Sequence, residues 1–175
     1  MSGLIHIYTG DGKGKTTAAV GLGVRACGQG MRVLMVQFLK GMPTGEMYSL
    51  KKLEPGFVLH RGTETKKFTW QMTSEEKSQA EAEQRSIFEY AVNAAEKGEC
   101  DMLIMDEVMG ALSTGMISNE KLLHFISGKP DKLELILTGR DAPPELTGMA
   151  DYVSEIIAVK HPAKKGIDAR KGIEF

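Results

Sequence analysis

Two cysteines, Cys27 and Cys100, stand far apart in 175 residues without metal-ligand spacing, so the chain encodes neither a disulfide framework nor a zinc cluster. Charge of one sign is missing too. Lys plus Arg number 22 against 23 Asp plus Glu, and a net charge of -1 gives no field to hold nucleic acid non-specifically. No apolar run approaches the roughly 20 residues of a membrane span. No leader pattern precedes the first strand pattern, which begins just after Met1-Ser2-Gly3. Repeats, Pro-rich linkers and low-complexity tracts are also lacking. These absences leave one expectation: a single domain over residues 1–175, with reduced thiols, in the cytoplasm, away from membranes and nucleic acid.

What is present is a glycine-rich turn between a strand and a helix. Leu4-Ile5-His6-Ile7-Tyr8 alternates as a buried strand does, and Ala18-Ala19-Val20-Gly21-Leu22 is small and apolar at helical spacing. Between them lies Thr9-Gly10-Asp11-Gly12-Lys13-Gly14-Lys15-Thr16-Thr17. Glycines let successive N–H groups turn inward, and the helix start adds its own donors and positive dipole end. Gly10 to Thr17 are therefore expected to cradle phosphates, with a solvent-facing Lys15 on the terminal groups and the Thr16 hydroxyl on Mg²⁺. The strict spacing puts a glycine five residues before Gly14, where this chain has Thr9. Either Gly10 takes that role in a shortened loop, or the loop is a subclass of its own. A dinucleotide fingerprint is excluded, because its third glycine would fall on Lys15.

Further along, the pattern predicts a strand over 32–39, a loop at 40–45, a short helix over 46–53 and a short strand at 57–60. Thr73-Ser74-Glu75-Glu76 reads as a capping box opening a long helix that Gly98 ends. Met102-Leu103-Ile104-Met105 predicts a strand, 118–128 a helix, 133–137 a strand, Pro143-Pro144 a short helix start and 152–159 a last strand. Strands alternating with helices imply an α/β fold with three layers and a mostly parallel sheet. The stretch from Lys160 to Phe175, rich in Lys and Arg, reads on composition as a solvated end.

Asp106-Glu107, at the end of an apolar strand expected beside the loop strand, suits the magnesium side of a phosphate-loop site, with Glu107 activating water or ligating the metal. Arg140, after another strand, faces phosphate or sits in a surface turn. His6, His60, His124 and His161 are scattered and read as structural. Phe68 and the single tryptophan, Trp70, stand in a polar stretch, either pinned to the core or facing a ligand. Their i,i+2 spacing in an extended segment directs both rings to one side. Taken alone, these residues specify an ATP–Mg²⁺ protein without fixing which bond breaks. A RecA-like ATPase or a regulatory ATP-binding protein acting on a macromolecular partner remains the alternative.

The run Ile7 to Ala19 resembles the variant phosphate loop of the ATP:corrinoid adenosyltransferases. The resemblance continues through Phe68-Thr69-Trp70, Asp106-Glu107, Thr138-Gly139-Arg140, Ala150-Asp151, Lys160-His161-Pro162 and Gly172-Ile173-Glu174-Phe175. It implies a RecA-like sheet, a homodimer and transfer of the 5′-deoxyadenosyl group of ATP to Co(I) of a corrinoid with release of triphosphate. The triphosphate would lie reversed in the loop, held by Gly10, Asp11, Gly12, Lys13, Gly14, Lys15, Thr16 and Thr17. Thr16 and Glu107, beside Asp106, would ligate Mg²⁺. Phe68 and Trp70 would face the corrinoid, Arg25 would help position substrate, and a flavin-type reductase would supply electrons. Better-known members have a segment ahead of the first strand that helps cover the active site, a feature not expected here.

Overall fold

The computed structural model describes residues 2–62 and 72–175, so Phe68 and Trp70 lie outside the described residues. In chain order the elements are β1 (Ile5–Thr9), α1 (Lys15–Gly28), β2 (Val33–Gln37), α2 (Gly45–Leu50) and β3 (Phe57–Arg61). They continue with α3 (Ser74–Glu96), β4 (Met102–Asp106), α4 (Val108–Ser113), α5 (Asn119–Ser127), β5 (Glu134–Thr138), α6 (Pro144–Met149) and β6 (Tyr152–Glu155). Short 3-10 turns cover Lys51–Leu53 and Pro162–Lys165. Thr73 caps α3 with the expected box, its side chain accepting from the Glu76 N–H. The Ser118 hydroxyl caps α5 by accepting from the Lys121 N–H, without a box.

The six strands form one parallel sheet in the order β3-β2-β4-β5-β1-β6. A parallel sheet has helices on both faces, and consecutive residues of one strand are claimed by opposite cores. Leu34 and Val36 of β2 pack with Ile87 and Ala91 of α3, while Val33 and Met35 pack with Ala19 and Ala26 of α1. Helices α3 to α6 thus cover one face, and α1 and α2 the other. This is the three-layer α/β arrangement of a RecA-like phosphate-loop fold.

Two expectations change. The acidic strand β4 does not neighbour the loop strand β1, because β5 lies between them. Sequence order carries no strand order, and the insertion of β5 gives the site one more strand end. The last strand stops at Glu155 rather than running to Val159. There the chain turns under the glycine-rich loop, as described below. Since all strands point one way, the final residues Thr9, Gln37, Asp106 and Thr138 gather along one edge of the sheet, where open α/β sheets bind ligands. Among the described residues no helix is long and apolar enough to cross a membrane.

Candidate functional site

The glycine-rich turn is built against the chain that follows β6. The Ile156 N–H donates to the Thr9 carbonyl at 2.8 Å, and the Gly12 N–H donates to the Ile156 carbonyl at 2.7 Å. Gly10 has φ +99°, and a Cβ on it would stand 2.5 Å from the Ile156 oxygen. A side chain there meets both backbone strain and a clash, so only glycine serves. Gly10 therefore takes the first-glycine role, and Thr9 stays in the strand. Gly14, at φ +126°, begins α1 and brings no side-chain cap. The opening N–H groups of the helix are thereby left to an anion.

Lys15 departs from the expected solvent-facing posture. It is buried, and its ammonium donates to the carbonyls of Gly10 at 2.6 Å and Gly12 at 3.0 Å. Burial lowers its pKa, opposed by Glu107, assisted by Arg140 and opposed again by Asp11 and Asp106. The charge is thus already inside the loop, held by groups that a phosphate would replace as partners.

Asp106 is the tie between strand ends. Its carboxylate is fully buried and accepts from the Thr16 hydroxyl at 2.8 Å, the Thr138 hydroxyl at 2.7 Å and the Gln37 amide at 3.2 Å. The Lys40 ammonium stands 3.9 Å away. With its proton committed to Asp106, Thr16 has its oxygen lone pairs left for a cation, the outer-shell role an acid plays behind a ligand. Asp106→Asn keeps the shape and loses the charge that three donors and an ammonium address. Hydrogen bonds to charged groups contribute about 1.5–3 kcal/mol each, so the substitution should cost about 2 kcal/mol of stability. A urea melt at constant slope checks this, and an unmoved midpoint would mean that the carboxylate ties nothing.

Glu107 follows β4 in a left-handed conformation (φ +60°), uncommon for a residue with a side chain and typical of strained functional positions. Its N–H donates to the Thr138 hydroxyl at 2.9 Å, which fixes the turn. A cavity of about 600 Å³, within the range of small-molecule sites, opens over these groups. Asp11, Gly12, Lys13, Gly14, Lys15, Thr16, Thr17, Glu107 and Arg140 line it, as the sequence suggested. Gly10 and Asp106 lie behind its wall, and Arg25, exposed well along α1, is not part of the lining.

The loop at 40–45, expected at a strand end where open α/β sheets bind ligands, contributes Lys40, Thr44 and Gly45, and Glu46 joins them from the start of α2. Arg61 at the end of β3 holds that loop by donating to the carbonyls of Lys40 at 2.6 Å and Met42 at 2.8 Å. Other lining residues were not anticipated. His161 also lines the cavity, although it reads in sequence as structural, and its Nδ1 accepts from the Ala163 N–H. Gly172 to Phe175 complete the wall while staying exposed, so this end of the sequence is solvated, as its composition suggested, and also borders the cavity. Glu174 anchors it on Lys13 and Arg170, and its pKa falls to about 2 mainly through Arg170, with Lys13 contributing. Glycines in the β2 loop and the basic residues near 160–171 were the available signals.

The donor set suits one cation among the candidates. Among the described residues no group of three or more His, Cys, Asp or Glu side chains stands ready to hold a metal by itself. One threonine hydroxyl and one carboxylate on a phosphate-loop cavity fit Mg²⁺, which binds through few protein oxygens plus substrate phosphates. Zinc or calcium would ask for more protein ligands.

Comparison with known proteins accords with this geometry. The family model described as ATP:corrinoid adenosyltransferase BtuR/CobO/CobP matches residues 1–175. A corrinoid adenosyltransferase of Pseudomonas aeruginosa is 34% identical over 174 residues, covering 99% of this chain and 84% of that protein. The corrinoid adenosyltransferase of Escherichia coli K12 is 34% identical over 99% of this chain and 86% of its own length. One from a Sinorhizobium species is 37% identical over 99% of this chain and 80% of its own. A glycine-rich loop beside a buried Asp–Thr–Thr tie places this chain among phosphate-loop proteins, and the end-to-end match places it within one family: it belongs to the ATP:corrinoid adenosyltransferases, BtuR/CobO/CobP.

Proposed function

We propose that this chain transfers the 5′-deoxyadenosyl group of ATP to Co(I) of a corrinoid, as its family does, in the cavity above the glycine-rich loop. In that step the cobalt lone pair attacks C5′ and the Co–C bond forms. The C5′–O bond breaks, and inorganic triphosphate leaves with the electron pair. The observation that carries the reading is the family match over the whole chain, joined to a cavity whose cationic and hydroxyl groups suit a triphosphate.

Each residue then has a task. The loop N–H groups from Gly10 to Thr17 hold the triphosphate, and Lys15 offsets the charge that builds as it departs. Lys13, Lys40 and Arg140 add positive charge around the same cavity. Thr16, oriented by Asp106, and Glu107 would hold Mg²⁺, which supplies charge neutralisation on the leaving phosphates. No acceptor base is required, because Co(I) is itself a strong nucleophile. Phe68 and Trp70, which lie outside the described residues, take their family role against the corrinoid. A homodimer, a flavin-type electron donor and a cytoplasmic setting complete the reading.

Glu107→Gln separates metal ligation from water activation. As a ligand, Glu107 supports metal affinity, and its loss should raise the Mg²⁺ concentration for half-maximal rate about tenfold. As a hydrolytic base, the same change would leave ATP bound and uncleaved at an unchanged Mg²⁺ requirement. The function itself is tested by incubating the protein with ATP, Mg²⁺ and chemically pre-reduced corrinoid. Appearance of a light-sensitive alkylcobalt spectrum is expected, and a cobalt spectrum indifferent to the protein would refute it.

A further inference from the structure

The loop after β2 reaches the cavity with little support from its own backbone. Leu39 turns it out of the strand with a left-handed φ of +56°, and the Leu39 N–H donates to the Gln84 side chain at 3.0 Å. Beyond that point, among the described residues, the only hydrogen bonds made to residues 40–43 come from one side chain, Arg61. A single guanidinium nitrogen, Nη2, donates to the carbonyls of both Lys40 and Met42, and Nη1 donates to the Met47 sulfur at 2.7 Å. The sheet explains the reach. Register pairs Arg61 with Gln37 at the ends of β3 and β2, and alternation puts Arg61 on the face that Phe57 and Leu59 give to the core under α1 and α2.

What the loop carries matters to the cavity. Lys40, Thr44, Gly45 and Glu46 line it, whereas Arg61 does not. The Lys40 ammonium stands 3.9 Å from the buried Asp106 carboxylate, which also accepts from the Thr16 hydroxyl. A lysine charge rides on a flexible four-carbon stem, so it stays at one point only where the backbone beneath it is fixed. Arg61 fixes that backbone, tying the Lys40 and Met42 carbonyls to β3 and to Met47 in the first turn of α2. Without it those carbonyls turn to water, and the loop has to be ordered by the ligand at an entropic cost that weakens binding.

We infer that Arg61 is a positioning residue for nucleotide binding, one that touches no ligand and acts through Lys40, whose ammonium it sets against the triphosphate. The inference rests on the ATP reading above and adds to it a residue from the edge strand of the sheet, β3. Binding of ATP and of inorganic tripolyphosphate is measured by calorimetry, both with Mg²⁺ and without corrinoid. Lys40→Ala and Arg61→Ala should each weaken both ligands about tenfold at unchanged stoichiometry, which an unfolded fraction would lower. The double variant should bind within about twofold of Lys40→Ala alone, because the second change removes nothing that the first has left. Arg61→Lys keeps a nitrogen with donors for both carbonyls and should recover most of the affinity. Arg61→Met, similar in bulk and without a donor, should not. Unchanged affinity in Arg61→Ala would leave the tie without a function, and losses that multiply to about a hundredfold in the double variant would separate Arg61 from Lys40. Either result overturns the proposal. If the parent protein binds neither ligand, the nucleotide reading fails and the inference with it, an outcome that none of the variants imitates.

Discussion

Replacing Lys15 with alanine is expected to lower the rate of adenosyl transfer about 100- to 1,000-fold while leaving the protein folded. The leaving group gains charge as the C5′–O bond breaks, and a preorganised ammonium in a buried site acts on that charge more strongly than water would. Among the described residues Lys15 donates two hydrogen bonds that its loss would remove from the fold, to the carbonyls of Gly10 and Gly12. Such bonds are worth about 1 kcal/mol each net, and in a chain of this size 1 kcal/mol moves Tm by about 2–4 °C. A single-turnover rate beside a thermal melt tests both halves. A near-normal rate in a folded Lys15→Ala protein would take the glycine-rich loop out of the chemistry.

The second large effect concerns Phe68 and Trp70. Co(II) carrying an axial ligand is hard to reduce, because the ligand raises the orbital that must accept the electron. Removing the ligand makes reduction easier. Two apolar rings suit that task, since they exclude water and the corrinoid's own base from one face and offer no donor atom in exchange. The double variant Phe68→Ala/Trp70→Ala should therefore lose about a hundredfold or more in rate with Co(II) corrinoid and a flavin reductant, equivalent to about 2.7 kcal/mol of barrier. Supplied with pre-reduced Co(I) corrinoid, it should recover most of that rate. Equal loss under both conditions would reduce the rings to substrate positioning, and the ligand-displacement account would have to be given up.

How far the chain could be read from its sequence depended on whether the signal was local. The turn from Gly10 to Thr17, the capping residue Thr73, the helix start near Ser118 and the apolar runs of β2 and β4 all act within a few neighbours, and each appears where its pattern puts it. Helix α4 was not anticipated, because six residues, Val108–Ser113, with Gly110 among them are too short to show a helical period. The β2 strand was expected to reach Leu39 and ends at Gln37, since Leu39 adopts a left-handed φ of +56°. The early end of β6 arises from a distant contact, Ile156 turning to receive the Gly12 N–H.

The site divides in the same way. Lys15, Thr16, Asp106 and Glu107 could be picked out because each sits at the end of a recognisable element. Thr138 and Gln37, which surround Asp106, become partners only through the placing of β5 and β2 on either side of β4. The docking of Glu174 on Lys13 joins two oppositely charged residues from opposite ends of the chain, and composition averaged over the tail conceals it. Lys15 reversed its expected exposure because the loop carbonyls of Gly10 and Gly12 turn inward along with the N–H groups.

The central claim is that the bond broken is C5′–O and not a phosphoanhydride. Phosphorus NMR of the products decides it directly, with the protein, ATP, Mg²⁺ and pre-reduced Co(I) corrinoid in one tube and the corrinoid omitted from a second. Adenosyl transfer predicts intact inorganic triphosphate, formed one for one with alkylcobalt and only where the corrinoid is present. ADP and orthophosphate accumulating at the same rate in both tubes would contradict it and make this chain an ATPase.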